Sequence, residues 1–184
     1  MTAMQANGMQ QHPDALKVWS RFFSEYAVAN ILEIGSGFGG FARFLAEKIG
    51  NESTVVTCDI KKKWNDPWPD NVVFLLHDAY QGAPMLETML RVMARPVLLI
   101  CDGRRKKWEA RRFGPLLHVG DFLAIHDYAS TREWFDQNLR NKVWNWHECD
   151  ERAIASVLAE GFTPILENKF SNVAWGVWLK EAQT

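Results

Sequence analysis

One stretch constrains the fold more than any other. The apolar run Asn30-Ile31-Leu32-Glu33-Ile34 stops at Gly35, glycines recur at 37, 39 and 40, and helical spacing begins at once. A buried strand, a tight turn and a helix account for this order. Glycine adopts positive φ without penalty and lets backbone N–H groups approach a ligand at a helix N-terminus. A tight turn that binds nothing has the same look, so the surroundings must decide. The alternation recurs along the chain. His12-Pro13-Asp14 opens a helix with Ala15, Val18, Trp19, Phe22, Phe23 and Tyr26 on one face, and Phe38 to Ile49 is helical up to Gly50. Strands are expected at Thr54–Asp59, Asn71–Leu76, Val97–Cys101 and Phe122–Ile125, with helices at Ala83–Ala94 and Glu151–Glu160. Two last strands, Thr163–Leu166 and Val173–Leu179, flank the polar turn Asn168–Asn172 and should pair antiparallel. Strands alternating with helices imply an α/β, doubly wound parallel sheet covered on both faces.

A chain of 184 residues with 47% hydrophobic content suits one domain with its own core. Residues 1–12 are polar and Gln-rich, so a flexible segment is expected there, with the domain at 13–184. The net charge of −1 by itself argues for neither nucleic acid nor an anionic membrane. Cys58 and Cys101 lie in apolar runs and read as core residues of a reduced protein. There is neither a leader-like basic and apolar start nor a run of about 20 apolar residues, so a cytoplasmic location is expected. Nine tryptophans exceed what a core of this size needs, so some should line a pocket or an interface.

Three features raise the glycine turn above an ordinary connection. Its third glycine comes one position earlier than in the dinucleotide pattern G-x-G-x-x-G, and Glu33 stands two residues before the first. Asp59 ends the next strand, 24 residues after Gly35, where a carboxylate can accept from two ribose hydroxyls. His77-Asp78-Ala79 then follows the third strand. The form E-x-G-x-G-x-G with these two acids resembles the class I S-adenosylmethionine-dependent methyltransferases, over about residues 13 to 180. The resemblance implies a Rossmann-like sheet of seven strands, order 3-2-1-4-5-7-6, with strand 7 antiparallel. It also implies that Gly35, Ser36, Gly37 and Gly39 cradle the methionine part and ribose of S-adenosylmethionine. Asp59 and the adjoining Ile60 would hold the ribose side, Asp78 and Ala79 the adenine. Glu33 would fix the loop or approach the amino group, and Asp102 would border the same site.

Asp102 and Asp127 stand at two further strand tips, where open α/β sheets bind ligands. Asp102-Gly103, a helix, Val119-Gly120 and His126-Asp127-Tyr128 resemble, in that order, the small-molecule O-methyltransferases of the catechol and caffeoyl-coenzyme A type, and the cephalosporin-hydroxylase-like group. In those families carboxylates at these tips bind a divalent metal that acidifies a substrate hydroxyl. Here Tyr128 replaces the catechol-type asparagine, and Arg105 replaces the caffeoyl-type lysine. Asp102, His126 and Asp127 are thus the catalytic candidates and, if a metal binds, its ligands. The weighted expectation is an enzyme without metal, in which Arg104 and Arg105 supply positive charge and His126 serves as general base.

Nine of the 21 basic residues gather after two strands: Lys61, Lys62 and Lys63, then Arg104, Arg105, Lys106, Lys107, Arg111 and Arg112. Such a run usually marks a solvated helix face, here with Glu109 interspersed. Beyond strand tips it also suits an anionic acceptor, for which Arg104, Arg105, Trp108 and Tyr128 are the candidate contacts. The leading expectation is O-methylation of a small acceptor. Two alternatives stay open: a methyltransferase acting on nucleotides or nucleic acid, and a non-catalytic S-adenosylmethionine-binding protein. The position after strand four reads Cys101-Asp102-Gly103-Arg104, unlike the Asn/Asp-Pro-Pro-Tyr motif of exocyclic-amine methyltransferases. No membrane partner is expected, and a homodimer is compatible with the sequence.

Overall fold

The computed structural model describes residues 8–142 and 144–183. Seven strands form one sheet: β1 (Asn30–Ile34), β2 (Thr54–Asp59), β3 (Val72–Leu76), β4 (Val97–Cys101), β5 (Phe122–His126), β6 (Phe162–Pro164) and β7 (Trp175–Lys180). Their order is β3-β2-β1-β4-β5-β7-β6, as the resemblance implied. The first five run parallel, and β7 is antiparallel to both β5 and β6.

Seven helices cover the sheet: α1 (Ala15–Glu25), α2 (Gly40–Ile49), α3 (Ala83–Val92), α4 (Lys106–Phe113), α5 (Arg132–Asn138), α6 (Glu151–Leu158) and α7 (Glu167–Ser171). The period of two sorts each strand between two cores. Leu32, Ile34, Leu99, Cys101, Leu123 and Ile125 pack with Leu86 and Leu90 of α3, Phe113 of α4 and Ile154 of α6. Ile31, Leu98, Ile100, Phe122 and Ala124 pack on the other face with Trp19 and Phe22 of α1, Leu45 of α2 and Phe170 of α7. All three cysteines are free and buried, Cys149 with the two expected. Among the described residues no helix is long and apolar enough to cross a membrane.

The structure departs from the expected elements in three places. The polar turn 168–172 is the short helix α7, because Phe170 is fully buried and turns the segment inward. Helix α5 had no expected counterpart; Thr131 caps it by accepting from the Trp134 N–H, and only Phe135 is buried. The third concerns the N-terminal boundary at 13. Met9, Gln11 and His12 are buried, and Trp175 Nε1 donates to Gln11 Oε1 at 2.8 Å. Residues 8–12 therefore pack on the domain; residues 1–7 lie outside the described residues.

Candidate active site

The register brings the functional side chains together. Ile34 pairs with Cys58 on one side and Cys101 on the other, and Cys101 pairs with Ile125. The next residues along these strands, Asp59, Asp102 and His126 with Asp127, therefore lie along one edge of the sheet. There they border a cavity of about 770 Å³, within the range of small-molecule sites.

The glycine loop forms one wall. Gly35 (φ 99°), Gly37 (φ 54°) and Gly39 (φ 78°) all lie in the left-handed region. Their roles differ. A Cβ at Gly35 would lie 2.2 Å from the Asp102 carbonyl oxygen, so this glycine lets β1 approach β4. A Cβ at Gly39 would meet the Trp68 ring at 2.7 Å, and Gly39 does not line the cavity. Gly37 faces open space, with nothing within 4 Å of its would-be Cβ. Of the expected loop residues, Gly35, Ser36 and Gly37 line the cavity, while Gly39 packs against Trp68. Asp59 fixes the loop, accepting from Gly37 N–H at 3.0 Å and from Lys61 N–H at 3.1 Å. Ile60, Asp78 and Ala79 line the cavity.

Glu33 is buried beneath the loop. Thr57 Oγ1 donates to Glu33 Oε2, and Ser36 Oγ lies 2.6 Å from Thr57 Oγ1. Glu33 Oε1 has no hydrogen-bond partner among the described residues, and burial pushes the carboxyl pKa up to about 8. A ligand donor reaching this oxygen would satisfy it and favour ionisation. Glu33 borders the cavity, so the residues present fit a cationic amino group beside a ribose.

Opposite the loop lies a charged cluster. His126 Nδ1 is 2.8 Å from Asp102 Oδ1, and its ring stacks on Trp175 with centroids 4.6 Å apart. Burial opposes the imidazolium, but Asp102 and Asp127 outweigh it, so the His126 pKa is raised. His126 Nε2 is buried and has no hydrogen-bond partner among the described residues. Asp127 has φ 53°, a left-handed conformation that aspartate tolerates better than most residues. Trp144 Nε1 donates to its Oδ1 at 2.7 Å. Burial would raise the Asp127 pKa, but His126, Lys106 and the Trp144 bond lower it overall.

Lys106 was noticed in the sequence only as one member of a basic run. Its side chain is 5% exposed, and its Nζ lies 2.9 Å from Asp127 Oδ2 and 3.1 Å from Glu148 Oε2. Burial alone would lower its pKa; the surrounding carboxylates Asp102, Asp127 and Glu148 hold it above the ordinary lysine range. Glu109, equally buried, accepts from Gly103 N–H at 3.2 Å and Arg105 N–H at 3.1 Å, which fixes the start of α4. The basic run is therefore not simply a solvated face. Atoms of Asp102, His126 and Asp127 come within 4.8 Å of one another, close enough to share an ion. A divalent ion there would face a buried ammonium, and the Asp127 oxygens are already engaged. The residues present do not fit a metal.

Arg104 and Arg105 line the cavity with Lys61 and Lys63, and the Arg105 guanidinium lies 4.7 Å from the Tyr80 ring centroid. Two expected contacts are not part of the lining. Trp108 stacks on Tyr80 at 4.3 Å and packs against the core, while Tyr128 is buried edge-on to Trp178. Trp144, Trp146, Gln11 and Glu148 do line the cavity and were not anticipated. They come from the N-terminal segment and from an irregular segment following α5, where no periodic signal marks a site.

The chain shares this fold with solved structures that include methyltransferases. Among solved structures, CmcI without ligand is similar over 99% of this chain and 78% of its own, at TM-score 0.72 and 18% identity. CmcI with Mg and SAM is similar over 98% and 78%, at TM-score 0.71 and 19% identity. MycE, a methyltransferase of mycinamycin biosynthesis in complex with Mg and SAH, matches 90% of this chain and 48% of its own, at TM-score 0.57 and 13% identity. No family model matches the chain, and no curated protein sequence does.

Proposed function

We propose that the protein transfers the methyl group of S-adenosylmethionine to an oxygen of a small acceptor that carries an anionic group. The observation that carries this reading is the open cradle at Gly37, held by the Asp59 carboxylate, in a cavity that Glu33 also borders. In this reading Gly35, Ser36 and Gly37 receive the methionine part, Asp59 and Ile60 the ribose, Asp78 and Ala79 the adenine, and Glu33 the amino group. Bound S-adenosylmethionine supplies a sulfonium methyl for in-line displacement by the acceptor oxygen. The protein contributes mainly proximity and orientation. His126, oriented through Nδ1 by Asp102 and bordering the cavity, is the candidate base for the hydroxyl proton. Lys61, Lys63, Arg104 and Arg105 face the anionic part of the acceptor.

Calorimetry with S-adenosylhomocysteine, S-adenosylmethionine, NAD and NADP tests the first half of the reading. The two adenosyl ligands should bind at least tenfold more tightly than either dinucleotide, and preference for a dinucleotide would end the proposal. Release of S-adenosylhomocysteine with a panel of phenolic and carboxylated alcohols separates an enzyme from a non-catalytic binder.

A further inference from the structure

The Lys106 ammonium lies against Asp127 and near Asp102, two of the three residues close enough to share an ion. Its three N–H groups match three acceptors: Gly103 O at 3.0 Å, Asp127 Oδ2 at 2.9 Å and Glu148 Oε2 at 3.1 Å. Asp102 Oδ1 lies 3.7 Å away and is engaged by His126 Nδ1. We propose that Lys106 is the built-in cation of this site, holding Asp102, Asp127 and Glu148 in place of a divalent metal. The inference rests on the methyltransferase reading for its catalytic meaning, but its geometry does not depend on that reading.

Two further observations support it. Mg²⁺ requires near-octahedral oxygen ligands at about 2.0–2.1 Å, yet Asp127 gives one oxygen to Lys106 and the other to Trp144 Nε1 at 2.7 Å. The lysine is also aimed by the backbone. Glu109 binds the Gly103 and Arg105 N–H groups, so α4 starts with Lys106 pointing toward the ends of β4 and β5. With its N–H groups committed, Lys106 is a positioning residue. It neutralises the carboxylates it holds and ties the end of β5 to the segment carrying Trp144 and Glu148. The acceptor oxygen would then meet His126 and a fixed ammonium field, where a metal-dependent enzyme offers a coordinated ion.

The test is a Mn²⁺ titration followed by electron paramagnetic resonance, with S-adenosylhomocysteine binding read on the same samples. Wild type should show no saturable Mn²⁺ binding at millimolar concentration. Lys106→Met, which removes the charge but keeps much of the bulk, should take up one equivalent at least tenfold more tightly, while Lys106→Arg should not. Stoichiometric Mn²⁺ in wild type, or no gain in a folded Lys106→Met, overturns the proposal. If Lys106→Met does not fold, the wild-type titration decides alone. Failure of wild type to bind S-adenosylhomocysteine would count against the methyltransferase reading and leave the Mn²⁺ result standing.

Discussion

Gly37 combines a left-handed φ of 54° with open space in front of its Cα, whereas the other two turn glycines are filled by neighbours. A side chain there would enter the cavity without touching the core. Gly37→Val should abolish S-adenosylhomocysteine binding and cost about 1–2 kcal/mol of stability from the left-handed strain. Calorimetry and a thermal melt on one preparation check both. Retained binding would mean that the cavity is filled from another side. The sequence could not distinguish these glycines, because spacing shows a turn but not what each Cα faces. The acids were easier to read: Asp59, Asp102 and Asp127 each follow a clear apolar run, and the register places them at one edge. Lys106 and Glu109 were hidden by composition, since buried charges look like surface charges until their partners are known.

The five parallel strands and α1 to α3 were legible because each is a single periodic run bounded by glycine, proline or a polar residue. Helix α5 was not, because it buries only Phe135 and has no apolar face. At the other edge of the sheet, Asp121 organises how the strands begin. It is fully buried, pairs with Arg95, and accepts from Val97 N–H at 2.8 Å and His118 N–H at 2.6 Å. It thereby joins the starts of β4 and β5, at the end of the sheet away from the cavity. Asp121→Ala strands a partly buried guanidinium and two backbone donors, and should lower unfolding free energy by about 3–5 kcal/mol. Urea denaturation measures this. S-adenosylhomocysteine affinity of the folded fraction should stay unchanged, and a large loss of affinity would show that the two edges are coupled.

For the whole molecule, the buried ionisable groups make stability depend on pH with a definite sign. Burial pushes Glu33 to about 8 and Glu109 to about 7, both from an ordinary carboxyl value of 4.5. His126 is also raised, from 6.5, its carboxylate neighbours outweighing burial. Each of these groups binds its proton more tightly folded than unfolded. The stability each contributes is therefore complete below its unfolded pKa and is lost as pH rises through its folded pKa. Asp127 acts in the opposite sense: its pKa is lowered from 3.8, and its contribution is lost only in strong acid. Without ligand, the urea midpoint should thus fall from about pH 5 to about pH 8. Glu33→Gln, which cannot titrate, should flatten that fall between about pH 5 and 8, the upper limit being the folded Glu33 value of about 8. Saturating S-adenosylhomocysteine should also flatten it, since an ammonium at Glu33 Oε1 favours the carboxylate and releases a proton on binding. Calorimetry in buffers of different ionisation enthalpy detects that proton in wild type and should find it missing in Glu33→Gln. Equal proton release in both proteins would place the ligand's amino group away from Glu33, although the glycine loop could still hold the remainder of the molecule.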